Sequence, residues 1–220
     1  LIRVRTSFLK PMPARDHSWA IAKESWETPR WNLQEAAESV TITTDEVQVV
    51  VRRSPLLMEF RDARTHELVN ADEQPMAYDA KGTLGERMFD PKAGMFVAAA
   101  KKLGFDEHFY GLGEKAAHLD KRRDSFVNWN SDTPGYVEGK DPIYQTIPFY
   151  IGLRHGTAYG ILFDNSYRSY FDFGHSSQQR AWFGAEGGEL NYYFFYGPAL
   201  KKILERYADL TGHLPLPPLW

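Results

Sequence analysis

The chain has 220 residues, a formal net charge of -3 and no cysteine, and 15% of its residues are aromatic. This length suits one large domain, and the hydrophobic fraction of 43% is sufficient for a core. The weak, mixed charge argues against a nucleic-acid partner, which normally requires a basic face. The lack of cysteine excludes disulfides and cysteine-ligated metal sites.

The sequence contains no segment of the kind that spans a membrane, because no apolar run approaches the ~20 residues that a bilayer requires. The chain begins with Leu1, and residues 1–10 lack the apolar centre of a signal peptide. We therefore expect Leu1 to be a cut or processed end. A cytoplasmic protein and an exported protein with its leader removed both remain open, and so does the oligomeric state.

Short apolar or alternating runs, many of them β-branched or aromatic, predict strands along most of the chain. Polar turns separate them, which favours an all-β sandwich. The predicted strands are residues 1–4, 40–43, 47–51, 56–60, 68–69, 149–153, 158–163, 167–173 and 190–196. Residues 10–31 predict a polar, proline-bearing segment, and residues 70–94 predict an irregular loop.

One helix is predicted at residues 198–210. Pro198 suits a first helical turn, and apolar residues from Leu200 to Leu210 recur at helical spacing. Gly212 is placed to end the helix, and three prolines follow it as a stiff linker. We expect the apolar stripe to pack against the sandwich or against another domain.

Several familiar motifs are absent or lack their structural context. The Gly111-x-Gly113-x-x-Ala116 pattern lies among strands, so we interpret it as a close backbone approach rather than a dinucleotide site. No histidine pattern indicates a metal site, and no Gly-x-Ser-x-Gly elbow indicates a serine hydrolase. Residues 106–108 are interpreted as a solvated loop. The charged residues of 114–122 are interpreted as a solvated face or as an ion pair that fixes the loop. Asp164 and Asp172 are interpreted as turn and strand-end residues.

A series of motifs follows through the second half of the chain. They are FYGLGEK at 109–115, WNSD at 129–132, IPFY at 147–150, AYGILFDN at 158–165, GGEL at 187–190 and LTGHLPLPPLW at 210–220. In this order they resemble the region that precedes the catalytic barrel in glycoside hydrolase family 31, the α-glucosidase family. The resemblance is dense in this half and loose in the first hundred residues.

The resemblance implies a galactose-mutarotase-like β-sandwich at residues 1–197, with a helix and proline-rich linker at 198–220 leading into a (β/α)8 barrel. It implies a retaining α-glycosidase, most often acting on terminal α-linked glucose, without a cofactor. The catalytic carboxylates would lie downstream of Trp220, since no stretch like the family's Asp-Met-Asn-Glu nucleophile segment occurs here. We therefore expect the 220 residues alone to be inactive, with the barrel and an α-linked oligosaccharide as partners.

Residues 128–136 form the candidate substrate-contacting loop. They combine an aromatic face with short polar side chains, the residue types that recognise sugars. The resemblance places Asp132 at the family's substrate-binding aspartate and Thr133 at a second polar contact. From the residues alone, the alternative is a turn in which Asp132 caps its own backbone. Trp129 is expected in the core.

Two other functional classes remain open from the sequence. One is a free-standing carbohydrate-binding module, and the other is a purely structural domain whose loop never meets the sugar. A mutarotase is a weaker alternative, because a fold does not fix a function. The sugar and its linkage are not determined by these residues.

Overall fold

A computed structural model describes residues 1–8, 16–78 and 96–218. The elements are β1 (Ile2–Thr6), β2 (Trp31–Glu35), β3 (Ser39–Thr44), β4 (Val47–Arg53), β5 (Leu56–Asp62), β6 (Leu68–Tyr78), β7 (Val97–Lys102), β8 (His108–Gly113), β9 (Ser125–Asn128), β10 (Thr146–Arg154), β11 (Thr157–Phe163), β12 (Ser169–Phe173), β13 (Arg180–Ala185), β14 (Leu190–Tyr196) and α1 (Leu200–Thr211). The predicted all-β fold with a C-terminal helix is confirmed in these residues.

The strands form two antiparallel sheets. The smaller sheet has the order β1-β14-β11-β10-β8, and the larger has the order β2-β3-β4-β5-β6-β7-β13-β12-β9. The predicted hairpins β3–β4 and β10–β11 are both present, with Val40 opposite Val51 and Phe149 opposite Leu162. The sequence identified these hairpins because polar turns interrupt their apolar runs.

Aromatic side chains from both sheets fill the space between them. Phe60 of the larger sheet stacks on Phe194 of the smaller one at a centroid distance of 4.1 Å. Phe109 and Phe173 form a second such pair at 4.4 Å. All four rings are buried, and each contributes about 1.5–3 kcal/mol of burial free energy. These contacts hold the two sheets together as a sandwich.

The helix α1 covers the outer face of the smaller sheet. Ile203 and Leu210 are buried against this face, and Tyr207 stacks on Phe149 at 4.2 Å. Because the helix covers this face, β14 is buried on both faces and is aromatic on both: Phe194 faces the other sheet, whereas Phe195 faces the helix. Of the two packing partners that the sequence left open, the structure shows the sandwich.

The helix begins two residues later and ends one residue later than predicted. Pro198 precedes the helix because its carbonyl accepts a hydrogen bond from Ala158 N at 2.6 Å, which continues the pairing with β11. Ala199 then serves as the N-cap in an extended conformation. Gly212, with a φ of 98°, donates its N–H to Ala208 O at 2.8 Å and terminates the helix.

The predicted loop at residues 70–94 is wrong where the structure describes it. Residues 70–78 belong to β6, which pairs with β5 and β7. Its register against β7 shifts twice, between Asp72 and Gln74 and between Gln74 and Ala77. These irregularities remove the period-2 pattern by which a strand is recognised. Residues 79–94, like the terminal Trp220, lie outside the described residues.

Candidate functional site

Residues 129–145 connect β9 to β10 and include the predicted site residues. The two limbs of this β9–β10 loop meet in a single β-bridge between Ser131 and Tyr144. Asn130 Oδ1 accepts hydrogen bonds from Thr146 N at 2.9 Å and from Thr146 Oγ1 at 3.0 Å. The loop is thus a closed excursion with a defined base and an exposed tip.

Asp132 and Thr133 follow the β-bridge on the same limb. The Asp132 side chain is exposed, and its carboxylate accepts no hydrogen bond from any residue that the structure describes. Self-capping of Asp132 is therefore not observed in this part of the chain. Thr133 is half-buried, and its hydroxyl lies 3.4 Å from the carbonyl of Pro142 on the returning limb. Asp132 can accept bonds from a ligand, whereas Thr133 Oγ1 contacts the loop itself.

The expected burial of Trp129 is wrong. Its side chain is 48% exposed, because the strand β9 ends at Asn128 and the chain leaves the sheet there. The buried tryptophan of the structure is Trp182 on β13. Sequence alone does not distinguish these two residues, since both follow or lie within short apolar runs.

Trp129 lines a groove of about 820 Å³ at the base of the loop. Residues 16–20, 128–130 and 163–167 form most of its wall, with Trp19 and Tyr167 as further exposed aromatic side chains. A concave site with aromatic walls and a few polar groups is the usual form of a small-molecule site. Asp132 does not line this groove.

The polar wall of the groove is held by paired side chains. Asp164 accepts hydrogen bonds from Ser18 Oγ at 2.6 Å and from Asn191 Nδ2 at 2.9 Å, as expected for a residue at a strand end. Burial raises the pKa of Asp164, against the opposing effect of these bonds. Arg5 Nε pairs with Glu189 at 2.5 Å, so this part of the wall is close to neutral.

Comparison with known proteins decides the family. Residues 1–172 match the glycosyl hydrolase 31 N-terminal galactose mutarotase-like domain. The chain belongs to glycoside hydrolase family 31. It is 38% identical over 205 residues to an α-glucosidase 2 of Bacillus thermoamyloliquefaciens, covering 92% of this chain and 24% of that protein.

Further relatives within family 31 carry different names. An α-xylosidase of Lactiplantibacillus pentosus is 40% identical over 118 residues, which cover 54% of this chain and 15% of that protein. A family 31 dextranase of Flavobacterium johnsoniae, solved with isomaltotriose, superposes with a TM-score of 0.80 at 30% identity. That match covers 98% of this chain and 25% of the dextranase. The matches thus cover between 15% and 25% of the length of these relatives.

The glycine motif of this family 31 domain is a close backbone approach, as interpreted from the sequence. Gly111 lies in β8 with a φ of 123°, and a Cβ there would come within 2.6 Å of Phe149 O. No helix opens at this motif, since β8 pairs with β10. The geometry required for a dinucleotide is therefore not met.

The interpretation of residues 106–108 as a solvated loop is wrong for Glu107. Its side chain is buried and accepts hydrogen bonds from Tyr159 Oη at 2.5 Å and from Gly104 N at 2.7 Å. Burial raises the pKa of Glu107 despite these bonds. Among the described residues, no three His, Asp or Glu side chains are grouped to hold a metal ion.

The sequence did not indicate the N-terminal contribution to the groove. Asp16, Ser18 and Trp19 belong to the segment interpreted only as polar and proline-bearing, and they carry no motif.

Within the described ranges, no helix has the length and apolar character needed to cross a membrane.

Proposed function

We propose that the chain is the N-terminal domain of a retaining α-glycosidase that releases α-linked glucose from oligosaccharide ends. The α-glucosidase and dextranase relatives support glucose, although the α-xylosidase relative shows that the family includes another sugar. The observation that supports this role of the domain is the exposed Asp132 carboxylate, which has no partner among the described residues and lies on a loop with a fixed base. Charge-assisted hydrogen bonds from sugar hydroxyls to this carboxylate would hold the substrate.

The chemistry itself would belong to the barrel. Retaining hydrolysis requires two carboxylates about 5–5.5 Å apart on either side of the glycosidic bond, one as nucleophile and one as acid and base. Asp132 would act in binding, with no role in proton transfer. Because this contact holds a sugar rather than the reacting atoms, its loss should affect substrate affinity more than turnover.

The test compares the full-length protein with the 220-residue chain. The full-length protein should hydrolyse an aryl α-glucoside and release the α-anomer first, which proton NMR can follow. The isolated chain should show no turnover under the same conditions. Comparable turnover by the isolated chain, or initial release of the β-anomer, would contradict the proposal.

The groove favours a second candidate, carbohydrate binding by this domain on its own. Exposed Trp129, Trp19 and Tyr167 surround polar groups there, which suits a neutral sugar chain. Calorimetric titration of the isolated chain with maltose or isomaltose separates the candidates. If the isolated chain binds the sugar and the Trp129→Ala variant does not, a binding module is supported. If the isolated chain does not bind the sugar, sugar contact depends on the barrel.

A further inference from the structure

A short segment after β8 holds the β9–β10 loop from below. Residues 113–116 contact the loop and its flanking strand at residues 127, 139, 141 and 145. Three of these positions lie on the returning limb of the loop and the fourth lies in β9 just before the loop, while the tip at residues 134–138 stays exposed. The 113–116 segment is therefore the base on which the loop rests.

The central contact is the ion pair between Lys115 and Asp141. Lys115 Nζ lies 2.8 Å from Asp141 Oδ1 and 2.7 Å from Val127 O, and its side chain is only 1% exposed. Asp141 also accepts a short hydrogen bond from Val127 N. The pair thus ties the end of strand β9 to the returning limb of the loop. Burial lowers the pKa of Lys115, while Asp141 opposes this effect.

Main-chain contacts complete the base. Glu114 N donates to Gln145 O at 2.8 Å, and Glu114 Oε2 accepts from Gln145 N at 2.9 Å. Ala116 O accepts from Gly139 N at 2.6 Å. Gly113 is required for this approach, because a Cβ at its φ of 76° would lie 2.7 Å from Gln145 O.

These contacts constrain the part of the loop that contains Asp132. Asp132 lies between two anchored positions, Val127 on one side and Asp141 on the other. A loop of this length that was fixed only at its ends would sample many conformations, and ordering it on binding would weaken affinity. The Lys115–Asp141 pair on the returning limb, together with the bridge between Ser131 and Tyr144, restricts that freedom before the substrate arrives.

We propose that Lys115 and Asp141 are positioning residues that orient the β9–β10 loop so that Asp132 meets the substrate. This inference rests on the proposed function of Asp132. A purely structural ion pair would stabilise the fold and leave substrate affinity unchanged. A positioning pair changes KM, and it does so only while Asp132 is present.

The test is a double-mutant cycle in the full-length protein with maltose or isomaltose as substrate. Asp141→Asn keeps the side-chain shape but removes the charge and one acceptor. It should lower kcat/KM by about tenfold, mostly through KM, because misplacement of a binding group weakens its contact. In an Asp132→Ala background the same substitution should change kcat/KM by less than about twofold. Hydrogen exchange of the loop peptide should rise in both backgrounds.

Asp72→Asn is the matched control, because Asp72 forms a fully buried ion pair elsewhere in the sandwich, with Lys101 at 2.6 Å. It should lower the midpoint of urea unfolding without changing KM. If Asp141→Asn does not fold, Glu114→Ala replaces it, since the Glu114 side chain is exposed and, among the described residues, accepts a hydrogen bond only from Gln145 N. That variant should lower kcat/KM about threefold, again only in the presence of Asp132.

The outcomes separate the inference from the proposed function. An effect of Asp132→Ala together with none of Asp141→Asn or Glu114→Ala overturns the positioning role alone. Equal losses in both backgrounds also overturn it, because the pair would then act independently of Asp132. If Asp132→Ala itself leaves kcat/KM unchanged, the proposed function fails and the inference fails with it.

Discussion

Replacement of Lys101 by methionine should strongly destabilise the sandwich. Lys101 Nζ lies 2.6 Å from Asp72 Oδ1 and 3.0 Å from Tyr192 Oη, with the two charged side chains 2% and 1% exposed. Burial lowers the pKa of Lys101, but the Asp72 charge and Tyr192 outweigh it, so the net shift is upward. Among the described residues, Lys101→Met would leave the buried Asp72 carboxylate with one remaining partner, Met58 N at 2.8 Å.

Removing one member of a buried ion pair costs about 3–5 kcal/mol. With an m-value near 3 kcal/mol/M, at the upper end of the usual range for urea, the unfolding midpoint should fall by about 1–2 M. Urea titration followed by circular dichroism measures this shift. The double variant Lys101→Met/Asp72→Asn should recover part of the loss, because no charge then remains buried at the site.

The matched control is Lys102→Met, because Lys102 is the next residue of β7 and is exposed. It should change the unfolding free energy by less than about 0.5 kcal/mol. A Lys101→Met midpoint close to that of Lys102→Met would contradict a stabilising ion pair between Lys101 and Asp72. So would a double variant less stable than Lys101→Met alone.

Two further predictions concern burial. Trp182→Ala should cost about 3–5 kcal/mol of unfolding free energy in urea titrations, and Trp129→Ala, whose side chain is 48% exposed, should cost about half as much; equal losses would contradict the assigned exposures. Burial raises the pKa of Glu107 from its ordinary 4.5, so the stability that it contributes is fully present below pH 4.5 and is lost as pH rises through the folded value. Wild-type stability should therefore fall relative to Glu107→Gln between pH 4.5 and neutral pH, and a constant difference across that window would exclude this role.

The sequence predicted elements wherever a local pattern determines them. The hairpin β10–β11 has apolar runs on both sides of a polar turn, and α1 has an apolar stripe followed by Gly212. It failed for β6, whose irregular pairing with β7 removes the alternation. The sequence also placed the start of α1 at Pro198, two residues too early. The carbonyl of Pro198 accepts a hydrogen bond from Ala158 N that continues the strand pairing, and no local pattern indicates this tertiary contact.

The candidate site was predictable in part. Asp132 and Thr133 were found through a family resemblance, and they lie on one limb of the predicted loop. Their roles in substrate binding remain predictions. The ion pair of Lys115 with Asp141 joins residues separated by 26 positions, and no local pattern links two such residues. The exposure of Trp129 likewise depends on where β9 leaves the sheet.

The kcat/KM of Asp132→Ala in the full-length protein, measured with maltose and isomaltose, tests the substrate contact of Asp132 most directly. Loss of a charge-assisted hydrogen bond of about 1.5–3 kcal/mol predicts a decrease of about 10- to 100-fold, carried mostly by KM. Glu138→Ala is the control, because Glu138 is an exposed carboxylate on the same loop, and it should leave kcat/KM unchanged. Equal kcat/KM values for Asp132→Ala, Glu138→Ala and the wild type would contradict a substrate-contacting role and favour a structural domain.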